Sequence, residues 1–371
     1  MKVILAFDKF KGSATAGQLN TAATEAIVGC GEHECVSVPV ADGGDGTTAV
    51  LAAKRSGQWI EMSTTAPLLQ LPPVNASYFL CDDGTAVIEL AAASGLSLVP
   101  TGSLDVMRAT TLGSGLMMRD AMERGSRNIV LGLGGSASCD AAMGILCALG
   151  AEFLDADGRY LYPSGGSLDK IAHIHVDGIP HEVRETRFTL LADVDNSLCG
   201  EYGTARIYAP QKGASPQQVE QLDRGMQHVA RIVGDAIALK AGSGAAGGVP
   251  AFMMHLLNCN LVPGAPYVLQ RNGMAEAMKG ADLVITGEGR LDKQTLMGKG
   301  PGCVINMAQE QGIPVAVVCG VMEKGMDFQG AGISQVLAVS DGLPLDEAMD
   351  TTGTLLRVKT AVKKLMKELI R

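Results

Sequence analysis

The run ITGEGRLDKQTLMGKG, residues 285–300, sets Glu288, Arg290, Asp292, Lys293 and Lys299 among Gly287, Gly289, Gly298 and Gly300. Glycine is entropically costly to order, and charges held close together need partners. Carried at the end of a strand, such a loop suits phosphoryl transfer. Cations neutralise the phosphate oxygens while an acid orients the attacking hydroxyl. A structural salt-bridge loop is the competing reading.

Other segments repeat the theme. PVADGGDG (39–46) ends a strand with Asp42 and Asp45 on glycine supports. Those carboxylates suit a hydroxyl or a metal, or simply a capped turn. FDKFKGS (7–13) offers Asp8, Lys9 and Lys11 after the first strand, and YAPQKGA (208–214) offers Lys212. A lone loop lysine is usually solvated. LLADVDN places Asp193 at the end of an apolar strand, as a base, a magnesium ligand or a turn cap. VLGLGGSASCDAA (131–142) fits G-x-G-x-x-A at Gly132, Gly134 and Ala137, with Glu152 and Asp155 about twenty residues on. It reads three ways: a dinucleotide site, a phosphate site built from the N–H groups of Gly132, Gly134, Gly135 and Ser136, or a bare strand–helix turn. No Walker A motif occurs, and the histidines lack metal spacing. The loops as a set, most of them at strand ends, exceed what turn chemistry alone requires.

These loops need a scaffold. VILAF is a strand, residues 17–29 a helix, CVSVPVA a strand and TTAVLAAKRSG a helix, which is βαβα and implies a parallel sheet. From about residue 60 short alternating strands follow one another without a helix. NIVLGLGG and RFTLLADV are strands, and Ser215-Pro216 starts a helix over about 216–238. βα alternation resumes with ADLVITG and ends in a helix of about twenty residues. The expected fold is α/β: a Rossmann-like parallel-sheet domain of residues 1–60 and 265–371, with a second α/β domain, 61–264, inserted.

Composition narrows the class. A chain of 371 residues suggests two domains. Its net charge of −9 argues against nucleic acid and an anionic membrane, but leaves room for an anionic substrate at a local positive site. Nine scattered cysteines, with no C-x-x-C, read as reduced thiols. No stretch approaches the roughly 18 apolar residues of a membrane span. A cytoplasmic protein is expected. Its oligomeric state is open, a homodimer among the options.

Taken together, FDKFKGS, PVADGGDGT, IELAAASGLSLVP, GLGGSASCD, LCALGAEFLDADG, PQKGA, GAAGG and the run from DLVITGEGRLDKQT to Lys299 resemble the bacterial glycerate kinase family, of the glycerate 2-kinase type. They stand in family order over nearly the whole chain. The resemblance implies an enzyme dependent on ATP and Mg2+ that phosphorylates D-glycerate at its 2-hydroxyl. It also implies a Rossmann-like domain and a second α/β domain with the site between them. The chain departs from the family pattern at Phe7 and Lys9 (usually Pro and Ser), at Cys139 (Asn), at Ala141 and Ala142 (Gly), at Asp195 and Ser197 (Thr and Pro), and within PLLQLPP. Lys11, Asp42, Asp140, Asp193, Glu288, Arg290 and Lys299 are kept.

Residue chemistry then assigns roles. Asp193 orients the substrate hydroxyl. Lys11 and Arg290 hold the substrate carboxylate or the moving phosphoryl group. Asp8, Asp42, Asp45, Glu288 and Asp292 bind substrate, with Asp193 and Glu288 as metal candidates. Gly132, Gly134, Gly135, Ser136, Lys212 and Lys299 bind the nucleotide phosphates. Cys139 either faces the substrate or packs under the helix that follows it. Three alternatives remain: a paralogous kinase for another short sugar acid, an NAD-binding oxidoreductase resting on Gly132, Gly134 and Ala137, and a non-catalytic binding protein.

Overall fold

The computed structural model describes residues 1–296, 299–325, 328 and 330–369. In chain order its strands are β1 (Lys2–Phe7), β2 (Glu34–Ser37), β3 (Gly57–Thr64), β4 (Val74–Cys81), β5 (Thr85–Glu89), β6 (Asn128–Gly132), β7 (Glu152–Leu154), β8 (His173–His175), β9 (Arg187–Ala192), β10 (Cys259–Pro263), β11 (Leu283–Gly287), β12 (Arg290–Leu291), β13 (Val315–Cys319), β14 (Val321–Met322) and β15 (Ile333–Ala338). The chain divides into a terminal unit, Met1–Asp42 with Ala265–Arg371, and a central unit, Gly43–Gly264. The first break therefore falls after Asp42 rather than near residue 60. Residues 43–60 lie in the central unit, where β3 pairs with β4.

In the terminal unit, β1 shows why the sheet is buried on both sides. Successive side chains of a strand point to opposite faces. Val3, Leu5 and Phe7 pack with the helices Ala16–Val28 and Thr351–Leu369, while Ile4 and Ala6 pack with the helix Gly300–Glu310. Thr15 and Gln18 close a capping box at the start of the first helix, with Gln18 N–H donating to Thr15 Oγ1 at 3.2 Å. The five-stranded sheet runs β15-β13-β11-β1-β2, and every pair in it is parallel. The connection leaving β1 builds one way and the later strands build the other, so the topology reverses between β1 and β11. Ligands of open α/β sheets bind beyond the carboxyl ends of strands at such a point.

The central unit holds a six-stranded sheet, β10-β9-β6-β5-β4-β3. Its first four strands are parallel, and β4 and β3 extend it as an antiparallel meander. That meander is the helix-free stretch expected after residue 60. The Ser215-Pro216 helix begins as read, but it ends at Val233, because Gly234 leaves helical geometry at φ 81°. A short helix, Asp235–Ala238, follows. Fold class and the parallel-sheet scaffold agree with the sequence reading. Among the described residues no helix is long and apolar enough to cross a membrane.

Candidate active site

The terminal unit places Asp8 directly after β1 and Glu288 directly after β11, at the point where the sheet order reverses. The Asp8 N–H donates to Gly287 C=O at 2.9 Å, so the two strand ends are locked together. Gly287 must be glycine: a Cβ there would stand 1.7 Å from Val318 C=O. Lys9 bridges two carboxylates, its Nζ 3.3 Å from Asp42 Oδ1 and 3.6 Å from Asp8 Oδ1. Burial pushes Asp8 up to about 6, against the pull of Lys9 and with help from Asp42. Burial pushes Glu288 up to about 7; the Thr295 hydroxyl opposes this, and Asp8 and Asp292 add to it. Thr295 is itself fixed by Asp292, whose Oδ1 accepts its N–H at 3.2 Å.

Asp8, Asp42, Glu288 and Asp292 are thus brought together, and Lys299 acts electrostatically on Glu288. Gly289 lies against the backbone of Phe10 and Lys11, which joins the first loop to the opening motif. The side chains of Lys11 and Arg290 are exposed, and Arg290 lies 3.8 Å from Asp292.

The central unit aligns a second set along the carboxyl ends of three adjacent parallel strands. Glu89 closes β5, the Gly132–Ser136 turn follows β6, and Asp193 follows β9. The Gly43–Asp45 loop packs face to face with that turn. A Cβ at Gly132 would meet Gly43 C=O at 2.7 Å, one at Gly134 would meet Gly44 Cα at 2.4 Å, and one at Gly135 would come within 3.0 Å of Asp45 Oδ1. The glycines on each side allow this close backbone approach. The NAD reading fails on the same geometry. The space beside Gly132 and Gly134 is filled by the chain itself, and the Gly134 N–H donates to Gly43 C=O. The acids meant for a ribose are engaged elsewhere. Asp155 accepts the N–H groups of Asp157 and Arg159, and Glu152 pairs with His175.

The six groups expected at the nucleotide phosphates are not equally placed to donate to an anion. Leu133, Gly134 and Ala137 donate to Leu191, Gly43 and Ser94. Gly135 and Ser136 have no backbone acceptor among the described residues, so their N–H groups are the ones left for an anion. Lys212 is buried, donating from Nζ to Ser136 Oγ at 2.7 Å and to Ser138 C=O at 2.6 Å. It braces the turn from beneath, and burial lowers its pKa.

Asp140 and Cys139 are fully buried. Asp140 accepts the Thr111 N–H at 2.7 Å, the Thr111 hydroxyl at 2.8 Å and the Gly144 N–H at 3.2 Å. It is a structural anchor. Cys139 packs in the core, so its substrate-facing alternative falls away. Sequence reading passed over Glu89, although VIEL carries the same signal as Asp193, an acid closing an apolar strand.

Among the described residues no group of three or more His, Cys, Asp or Glu side chains could hold a metal ion. Magnesium does not require such a cage; it is commonly held by one or two carboxylates plus substrate phosphates. Glu288 fits that use, because its Oε1 is buried without a hydrogen-bond partner and Asp8 stands close enough to act on it.

Comparison with known proteins adds a full-length match. The model of the "Glycerate kinase family" matches residues 3–369. The chain is 37% identical to the glycerate 2-kinase of Escherichia coli K12, over 94% of this chain and 93% of that one. It is 38% identical to the glycerate kinase of Haemophilus influenzae, over 88% of each. The crystal structure of a protein assigned as glycerate kinase 2 from Salmonella typhimurium LT2 superposes with a TM-score of 0.84 at 32% identity, covering 100% of this chain and 98% of that one.

Proposed function

The chain belongs to the glycerate kinase family, and from that premise we propose that it transfers the γ-phosphoryl group of ATP to the 2-hydroxyl of D-glycerate, in the cytoplasm, with magnesium. The observation that supports this most is the family match over residues 3–369, which spans both structural units.

Asp193 accepts a hydrogen bond from the attacking hydroxyl and orients it; a general base of this kind contributes about 10²–10⁴-fold. The N–H groups of Gly135 and Ser136 bind phosphate oxygens, with the turn braced by Lys212. Lys11 and Arg290, exposed and cationic, take the substrate carboxylate or the moving phosphoryl group, and Lys299 serves the nucleotide phosphates. Glu288, with Asp8, would hold magnesium. Such a metal would supply neutralisation of charge on the nucleotide phosphates. Asp42 is held by Lys9 at the same strand ends and shapes the substrate side of that set, while Asp45 and Asp292 serve substrate from their loops.

The test is ADP release from ATP, with and without magnesium, over D-glycerate, tartronate, erythronate and threonate, with the phosphorylated product identified by NMR. Magnesium-dependent ADP release with D-glycerate and 2-phosphoglycerate as product is the expected result. A clear preference for another acid would move the assignment to a paralogous kinase. No turnover with any acid would sink it.

A further inference from the structure

We propose that Glu89 is a positioning residue: it holds the Gly43–Thr48 loop so that Asp45 stands over the Gly135–Ser136 turn. The inference rests on the kinase reading above, which assigns Glu89 no part.

The first N–H groups of a helix have no intrahelical acceptor and need one from elsewhere. The helix Thr47–Ala52 starts at Gly46, which has no side chain to cap it. Glu89 does so from the neighbouring strand. Its Oε1 accepts the Thr48 N–H at 2.7 Å, and the Gly46 N–H donates to the same carboxylate. The loop is tied on its other side as well: the Gly134 N–H donates to Gly43 C=O at 3.1 Å, and the Thr47 hydroxyl donates to Gly44 C=O at 2.6 Å. Asp45 sits between these ties and is exposed. Its carboxylate is aimed at Gly135 by the backbone of the loop. Glu89 itself is held in register, since β5 and β6 pair Glu89 with Gly132.

The phosphate turn has separate support. Lys212 bonds Ser136 and Ser138, and the Leu96 N–H donates to Gly135 C=O at 2.8 Å. The loop carrying Asp45 and the turn carrying the phosphate N–H groups therefore have different struts, and should fail separately. A small misplacement of a binding group can be worth about 10²-fold in rate.

Three variants of the full chain test this: Glu89→Ala, Glu89→Gln and Lys212→Met. For each, KM is measured for D-glycerate and for ATP, with a melting curve and amide hydrogen exchange. Glu89→Ala is expected to raise KM for the acid about tenfold or more and leave KM for ATP within about twofold. The Gly46 and Thr48 amides should exchange faster. Glu89→Gln keeps an oxygen acceptor, so it should restore both KM and exchange most of the way. Lys212→Met should show the opposite pattern, with KM for ATP rising. An unchanged acid KM in Glu89→Ala, or parallel rises in both KM values with a lower melting temperature, would overturn the proposal. So would a Glu89→Gln variant as impaired as Glu89→Ala. Exchange separates this inference from the kinase reading. If the wild-type protein phosphorylates no acid, unchanged exchange at Gly46 and Thr48 in Glu89→Ala still refutes the strut, and faster exchange there still supports it.

Discussion

Asp193 and Asp140 are both acids that sequence reading kept together, and the structure parts them by burial. Asp140 is sealed in, taking donors from Thr111 and Gly144. Asp193 follows β9 half-buried, beside the turn that ends β6. Asp140 thus serves the stability of the fold, and Asp193 is the acid proposed to meet the substrate hydroxyl. Asp193→Asn is nearly isosteric and should keep the melting temperature within a few degrees. It should lower kcat by about 10²–10⁴-fold, the range for loss of a general base. Steady-state kinetics beside a melting curve checks this, and activity within a few-fold of wild type would make Asp193 a turn cap. Lys212 carries a related lesson. PQKGA advertises a lysine, but the sequence could not tell that its ammonium points inward to Ser136 and Ser138.

At the scale of elements, the central unit is organised by backbone that approaches backbone. Gly134 meets Gly44, and Gly247 meets the Ser138 carbonyl, where an added Cβ would stand 2.1 Å away. Gly134→Ala should destabilise the protein by about 1–3 kcal/mol, the usual cost of overpacking, because the Gly44 backbone cannot swing aside as a side-chain tip could. An unchanged chemical denaturation midpoint would contradict that. Where the family resemblance led us to expect glycine, Ala141 and Ala142 adopt φ 50° and 69°. Left-handed geometry costs an L-residue roughly 1–2 kcal/mol. Ala142→Gly should therefore stabilise the fold by up to about 1 kcal/mol, after the extra unfolded-state entropy of glycine is subtracted. A lowered melting temperature in this variant would mean that the Ala142 methyl packs better than its backbone is strained.

For the whole molecule, the consequence is a dependence of stability on pH. Asp8 and Glu288 have folded-state values raised to about 6 and about 7, from ordinary values of 3.8 and 4.5. A carboxyl raised on folding binds its proton more tightly in the folded chain. Its stabilising contribution is complete below the unfolded value and disappears as pH rises through the folded one. Glu288→Gln removes the share of that dependence that Glu288 contributes. Without metal or nucleotide, the variant should melt about 2 °C or more above wild type at pH 8, and the difference should shrink by pH 5.5. Its magnesium-dependent turnover should fall at the same time. A difference that does not change with pH would show that Glu288 is not held in its protonated form by burial.

Sequence alone determined the kinds of elements and their order: strands from alternating or continuous apolar runs, a helix start from the cap at Ser215, and a parallel sheet from βα alternation. It also marked the strand-end acids Asp8, Asp193 and Glu288, since an ionisable residue closing an apolar strand is visible in one dimension. The resemblance of its loops to one family pointed to the activity. Tertiary structure alone decided which loops meet. The topology reverses between β1 and β11, so Asp8 and Glu288, 280 residues apart in sequence, share one end of the sheet. Gly43 and Gly44 fill the space beside Gly132 and Gly134, which turns a nominal dinucleotide fingerprint into a packing surface. Hydrophobic periodicity fixes local conformation and the buried face. Contacts between distant segments follow from strand order and from how closely two backbones can approach, and neither has a local signature.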